Sequence, residues 1–211
     1  MDPKETVRAG YNTIATAYLA TRSADSPDMQ LLPELVRRLP PGAAVLDAGC
    51  GAGVPVTRYL AQFFQVTGVD FAAAQLQLAR QRVPNAHFLC QDLTELAFPD
   101  ESWDAICSYY AIIHIPREQH RPLFANFYRM LKPAGLALLC LGAEDLPEDV
   151  EEDYLGARMV WSHYDAATNL GLLQECGFEI VWSRIVPDST SPGSAHLFVL
   201  ARKGGSPPPP P

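Results

Sequence analysis

The stretch Val45-Leu46-Asp47-Ala48-Gly49-Cys50-Gly51-Ala52-Gly53 constrains this chain more than any other. A short apolar run enters it, a carboxylate closes the run, and glycines follow at alternate positions. That pattern reads as a strand ending in a tight turn. Glycine is used where the backbone needs positive φ or where a ligand lies against the main chain. Three glycines beside a carboxylate therefore point to a cradle for a bound molecule.

The rest of the chain supplies a sheet to carry that cradle. Strands are expected at 43–47, 65–70, 86–91, 103–108 and 136–141, separated by helices at 54–64, 72–82 and 117–131. Strands alternating with helices of ten to fifteen residues imply crossover units and a parallel sheet covered on both faces. Two helices precede it, at 4–20 and 28–38. A helix at 165–176 and two strands, 178–186 and 195–202, follow, the strands close enough in sequence to pair antiparallel. Between them, 143–163 carries Glu144, Asp145, Glu148, Asp149, Glu151, Glu152 and Asp153. It reads either as a lid over the sheet or as a solvated connector. One domain over 1–203 is expected, with a helical cap at 1–40 and a lid-like insertion at 143–164. The tail 204–211, Gly-Gly-Ser and five prolines, is expected to be disordered.

Composition narrows the partners. With 211 residues, 48% of them hydrophobic, the chain can bury a real core. A net charge of −8 disfavours nucleic acid and anionic membranes as partners. Five cysteines without a CxxC pair suggest neither a zinc site nor a disulfide framework, and fit reduced thiols in a cytoplasmic protein. The N-terminus has no apolar core of the kind a signal peptide needs, and no apolar run is long enough to span a bilayer.

In an open parallel sheet, ligands bind beyond the carboxyl ends of the strands. Asp47, Asp70, Asp92 and Ser108 each fall at such an end. Asp70 can accept both hydroxyls of a ribose, Phe71 can cover an adenine face, and Asp92 can accept the adenine amino group. Helix capping is the plain alternative for any one of these aspartates. Four strand-end groups in register with the glycine turn favour a nucleoside. The spacing Gly49-x-Gly51-x-Gly53 departs from the GxGxxG dinucleotide fingerprint.

Together these motifs resemble those of the class I S-adenosylmethionine-dependent methyltransferases of the small-molecule type. Residues 45–53 match the first motif, Gly68-Val69-Asp70-Phe71 the second, Gln91-Asp92-Leu93 the third and Trp103-Asp104-Ala105-Ile106-Cys107-Ser108 the fourth. Leu131-Lys132-Pro133-Ala134-Gly135 resembles the family's LKPGG turn, with alanine at one glycine position. The resemblance implies a Rossmann-like α/β fold: a seven-stranded, mostly parallel sheet whose last strand is antiparallel. It implies S-adenosylmethionine as donor, S-adenosylhomocysteine as product and a small-molecule acceptor, in a monomer or homodimer. It implies cofactor contacts at Asp47, Gly49, Cys50, Gly51, Asp70, Phe71, Gln75, Asp92, Leu93, Ser108 and Tyr109. Tyr11 and Tyr18, which at helical spacing read as packing, match the family's Y-x-x-x-A-x-x-Y pattern and so become cofactor contacts too.

The acceptor side is less defined. Tyr110, His114, Trp161 and His163 are expected to face it, with Met159 and Tyr164 adding apolar surface. His114 is the best-placed general base, or else a brace for the loop after the fourth strand, and His163 is a second candidate base that could instead merely face the acceptor. No carboxylate cluster suggests a metal. The acidic run either attracts a cationic acceptor or is a solvated face. A cofactor-binding protein without methyl transfer, or a nicotinamide-dependent reductase, are the other functions these residues allow.

Overall fold

The computed structural model describes residues 2–188 and 193–205. Its main sheet comprises β1 (Ala44–Ala48), β2 (Gln65–Asp70), β3 (His87–Cys90), β4 (Trp103–Ser108), β5 (Leu131–Gly142), β8 (Phe178–Pro187) and β9 (Ala195–Lys203). Their spatial order is β3-β2-β1-β4-β5-β9-β8. β1 to β5 run parallel, and β9 inserts antiparallel between β5 and β8. This is the Rossmann-like sheet expected from the sequence.

Successive residues on each central strand enter opposite cores, as the period-2 pleat requires. Leu46, Ile106, Leu139 and Val199 pack on one face with Phe124 and Phe127. Val45, Cys107, Leu138 and Leu200 pack on the other with Leu32, Leu35 and Leu60. Helices α3 (Val56–Leu60), α4 (Ala73–Arg82), α5 (His120–Met130) and α6 (Ala166–Glu175) make the crossovers.

Several boundaries differ from the sequence expectation. The second helix divides into a 3-10 turn, Pro27–Leu31, and a short α2 (Pro33–Arg38). Pro33 has no amide proton to continue the first turn and instead opens the next helix. α3 is likewise only five residues long. β5 begins early because residues 132–135 loop out of the ladder: Trp103 pairs with Leu131, but Ala105 pairs with Leu136. Ala134, the residue standing at a family glycine, takes φ +61° there.

The excursion after β5 is a two-stranded antiparallel hairpin, β6 (Leu146–Tyr154) and β7 (Ala157–His163). It lies on α1 (Pro3–Thr21), where Val7, Ile14, Met159 and Val160 form a third, small core. Gly10 makes this contact possible. A Cβ there would sit 2.5 Å from the Met159 sulfur and 3.0 Å from the Arg158 carbonyl oxygen. Met159 is thus spent on holding the hairpin to α1, and Tyr164 packs under the Arg117 guanidinium, so neither lines the acceptor side. Of the expected disordered tail, Gly204 is bonded, its carbonyl accepting from the Tyr128 hydroxyl (2.9 Å). Residues 206–211 and the loop residues 189–192 lie outside the described residues. Cys50, Cys107 and Cys140 are buried, whereas Cys90 is exposed, and all five thiols are free. No helix among the described residues is long and apolar enough to cross a membrane.

Candidate active site

The glycine turn follows β1, with the Gly49 and Cys50 amides donating to the Val69 carbonyl at 2.8 and 3.0 Å. All three glycines have positive φ, but they do different work. A Cβ on Gly49 would lie 2.1 Å from the Ala111 Cβ, so glycine here lets the segment after β4 close over the turn. Gly53 packs on α4, a Cβ there meeting Val83 and Ala79 at 3.2 and 3.3 Å. Only Gly51 faces open space: the nearest atom to its Cβ position is the Gln75 side-chain oxygen at 3.8 Å.

The space in front of Gly51 is bounded by Gly49, Asp70, Phe71, Gln75, Asp92 and Leu93, as expected, and also by Lys4. Asp70 accepts from the Gly51 amide through Oδ2 and the Ala72 amide through Oδ1, both at 2.9 Å. A carboxylate has about four acceptor positions, so two stay open for a ligand. Burial pushes the Asp70 pKa up to about 6, against the pull of those amides. Gln75 is 1% exposed, and neither its amide nitrogen nor its oxygen has a partner. A buried amide is rarely left unpaired. The open face of Gly51, the free positions on Asp70 and the orphaned Gln75 amide together fit a polar molecule of nucleoside type.

Asp92 serves two ends. It caps the 3-10 turn Leu93–Glu95, Oδ1 accepting from the Thr94 amide (2.8 Å), while Oδ2 accepts from Lys4 Nζ (2.8 Å). Burial opposes ionisation, but the Lys4 and Thr94 bonds outweigh it and hold the carboxyl below its usual range. Ser108 is placed differently from the sequence expectation. It is fully buried, and its hydroxyl donates to the Ala48 carbonyl (2.7 Å), joining β4 to β1 behind the cavity.

A second small cavity continues past the turn, lined by Asp47, Gly49, Cys50, Gly51, Tyr18, Tyr109 and Arg22. The Thr57 hydroxyl donates to Asp47 Oδ2 at 2.5 Å, and burial pushes the Asp47 pKa up to about 7. Arg22, at the foot of α1, pairs with the buried Asp28 at 3.3 Å and lies 4.3 Å over the Tyr110 ring.

Residues 45–135 match the family model of the methyltransferase domain. Among curated proteins, the 2-methyl-6-phytyl-1,4-hydroquinone methyltransferase of Synechocystis sp. is 37% identical over 107 residues, covering 48% of this chain and 32% of that protein. The malonyl-[acyl-carrier protein] O-methyltransferase of Enterobacter lignolyticus is 33% identical over 154 residues, covering 69% and 57%. Among solved structures, the 1,6-didemethyltoxoflavin-N1-methyltransferase of Burkholderia thailandensis superposes with a TM-score of 0.73 at 22% identity, covering 97% of this chain and 92% of that one. That structure holds 1,6-didemethyltoxoflavin and S-adenosylhomocysteine. The chain spans about a third and under three fifths, respectively, of these two curated relatives.

Residues 45–135 are thus a methyltransferase domain, on a fold shared with solved methyltransferases.

A larger chamber of about 270 Å³ adjoins the space in front of Gly51, which holds about 70 Å³, and shares Tyr11, Tyr18, Tyr110 and His114 with it. The Tyr11 and Tyr18 rings meet edge-to-face at 5.1 Å, on the side of α1 that faces the turn. His114 sits behind Tyr11. Its Nδ1 lies 2.7 Å from the Val160 carbonyl, which can only accept, and its Nε2 lies 2.8 Å from the Tyr11 hydroxyl. Burial pushes the His114 pKa down to about 4, so the ring is neutral near pH 7. The proton is therefore on Nδ1, and Nε2 accepts from Tyr11. Trp161 lines the chamber beside Tyr154, and His163 lines it with Nδ1 bonded to the Glu144 carbonyl (2.9 Å).

Contributors not expected from the sequence include Lys4, Arg22, Tyr154, Asp188 and His196. Asp188 follows β8, and His196 lies at the start of β9. One signal for them exists: the amino end of an antiparallel β9 falls beside the carboxyl end of β5, where His196 pairs with Gly142.

Proposed function

We propose that this chain transfers a methyl group from S-adenosylmethionine to an oxygen, nitrogen or sulfur atom of a small organic molecule. The observation that carries this reading is the orphaned Gln75 amide facing Gly51 beside the half-used Asp70 carboxylate. Asp70 accepts the ribose hydroxyls, Phe71 and Leu93 cover the adenine, and Asp92 takes its amino group alongside Lys4. Gln75 gains its missing partner from the nucleoside. Asp47, ionised above about pH 7, and Arg22, paired with Asp28, border one small cavity that suits the amino-acid end of the donor. The relatives share methyl transfer in their names and differ in the acceptors named, and the solved neighbour holding S-adenosylhomocysteine supports the donor.

The donor brings a methyl group already activated on a sulfonium, so the protein mainly aligns a nucleophile behind it. Tyr11, Tyr18 and Tyr110 stand between donor space and chamber, and His114 fixes the Tyr11 hydroxyl from behind. His114→Ala is expected to lower kcat by about 10²-fold while S-adenosylhomocysteine affinity stays within about twofold. Because His114 is neutral above about pH 5, the pH–rate profile should show no limb from it near pH 6.5. A limb at pH 6–7 that disappears in His114→Ala would identify His114 as the base instead.

Asp70 gives the donor site a pH signature. Ribose hydroxyls donate best to an ionised carboxylate, so binding below about pH 6 must release the Asp70 proton. S-adenosylhomocysteine affinity is expected to rise with pH up to about 7 as Asp70 and then Asp47 ionise, the part below about pH 6 being absent in Asp70→Asn. A calorimetric pH series checks this; an equal rise in Asp70→Asn assigns the titration elsewhere.

The function itself is tested by incubating the protein with S-adenosylmethionine and a panel of alcohols, amines and thiols. Formation of S-adenosylhomocysteine dependent on one acceptor supports methyl transfer. Donor binding without turnover on any of them would support a non-catalytic role, and NADH binding without S-adenosylmethionine binding a reductase.

A further inference from the structure

Given that donor site, we propose that the chamber selects a cationic acceptor: an amine that enters in its protonated, ammonium form. The chamber's charge is the first reason. Glu144, Asp149, Glu151 and Asp188 surround it, and Arg22 is the sole Lys or Arg lining it among the described residues. Arg22 is already balanced by Asp28 and seated on the face of Tyr110. Glu144, Asp149 and Glu151 have no ion-pair partner within 4.0 Å among the described residues. The hairpin carries a further carboxylate, Glu152, which pairs with Arg158 and does not line the chamber.

The walls are the second reason. Tyr11, Tyr18, Tyr154 and Trp161 line the same space, with Tyr11 edge-to-face on Tyr18 and Tyr154 edge-to-face on Trp161 (5.3 Å, 82°). Aromatic faces attract cations, and four rings border this one space, although each pair spends one face on its partner's edge. An acceptor with an apolar body and an ammonium head meets both kinds of wall.

Two buried polar groups are independent of the acidic rim. The Tyr110 hydroxyl and His196 Nδ1 have no partner among the described residues, although Tyr110 is 7% and His196 8% exposed. Both residues line the chamber. His196 Nε2 lies 3.2 Å from Asp188 Oδ2, an acceptor, so in the neutral ring Nε2 carries the proton and Nδ1 is a bare acceptor. A phenolic oxygen and an imidazole nitrogen can both accept, and ammonium N–H groups supply donors. A carboxylate or phosphate acceptor would supply none and would face the rim charges.

Methylation of such an amine balances simply. The ammonium loses its proton to water at the chamber mouth, and the freed lone pair forms the N–C bond as the C–S bond of the donor breaks. That electron pair stays on sulfur, and the product is again a cation suited to the same walls.

The test uses S-adenosylhomocysteine-saturated protein titrated with benzylamine, benzyl alcohol and benzoate, which share one ring and differ in charge. Benzylammonium is expected to bind about tenfold more tightly than benzyl alcohol, and benzoate not at all. The double substitution Asp149→Asn with Glu151→Gln, both on the exposed hairpin, is expected to remove most of that preference. S-adenosylhomocysteine affinity should not change, because neither residue lines the donor space. Absence of any ammonium preference, with S-adenosylhomocysteine still bound, overturns this proposal alone. Failure of S-adenosylhomocysteine to bind overturns the donor reading and this proposal with it.

Discussion

Gly49→Ala is expected to abolish S-adenosylhomocysteine binding and to destabilise the fold by about 3 kcal/mol. Two independent penalties act at this residue. Its φ of +82° lies where an L side chain is strained, at about 1–2 kcal/mol. The added Cβ would also fall 2.1 Å from the Ala111 Cβ, an overlap relieved only by moving the segment after β4. That segment carries Tyr110 and His114, so the cradle and the tyrosine wall are disturbed together. Gly51→Ala is the control. Its Cβ points into the cavity with only Gln75 nearby at 3.8 Å, so it should impede ligand at a smaller loss of stability, about 1–2 kcal/mol from φ alone. Melting curves and calorimetry on both variants separate the effects; wild-type binding by Gly49→Ala would refute the cradle.

Asp70→Ala is expected to weaken S-adenosylhomocysteine binding by about 1.5–3 kcal/mol, the range for hydrogen bonds to a charged group. The carboxylate also anchors the Gly51 and Ala72 amides, so its removal loosens the turn as well as the ribose contact. Asp70→Asn separates these roles, because an amide oxygen can still accept one backbone bond but the charge is gone. Calorimetry at pH 8, where Asp70 is ionised in the wild type, gives the clearest comparison. Unchanged affinity in both variants would remove Asp70 from the ribose.

The donor side was legible in the sequence because it is local. Strand, carboxylate and glycine turn are contiguous, and the carboxyl ends of β1, β2 and the segment after β3 follow from strand order alone. Asp70, Phe71, Gln75, Asp92 and Leu93 all border the expected space. Ser108 failed the same logic because its hydroxyl turns into the sheet to bond Ala48, whereas Tyr109 and Tyr110, the latter at φ +57°, lie past the strand end and line the cavities. Lys4 was hidden by distance, its ion pair with Asp92 joining residues 88 apart. Arg22 follows the last turn of α1, outside any motif.

The acceptor side was less legible because its form depends on packing. An acidic, weakly patterned stretch became the β6–β7 hairpin only through Gly10 and the small core shared with α1. Its carboxylates read equally well as a solvated face until the fold set Glu144, Asp149 and Glu151 around one cavity. Likewise, His114 as base and His114 as brace differ in what its nitrogens touch, which no spacing encodes.

Tyr11, Tyr18 and Tyr110 divide one site into two compartments. A crystal structure of the protein with S-adenosylhomocysteine tests this division most directly. Adenine is expected against Phe71 and Leu93, ribose hydroxyls on Asp70, the Gln75 amide satisfied, and the sulfur facing the chamber at Tyr11. A ligand bound elsewhere, or one whose sulfur faces away from the chamber with Gln75 still unpaired, would contradict that arrangement.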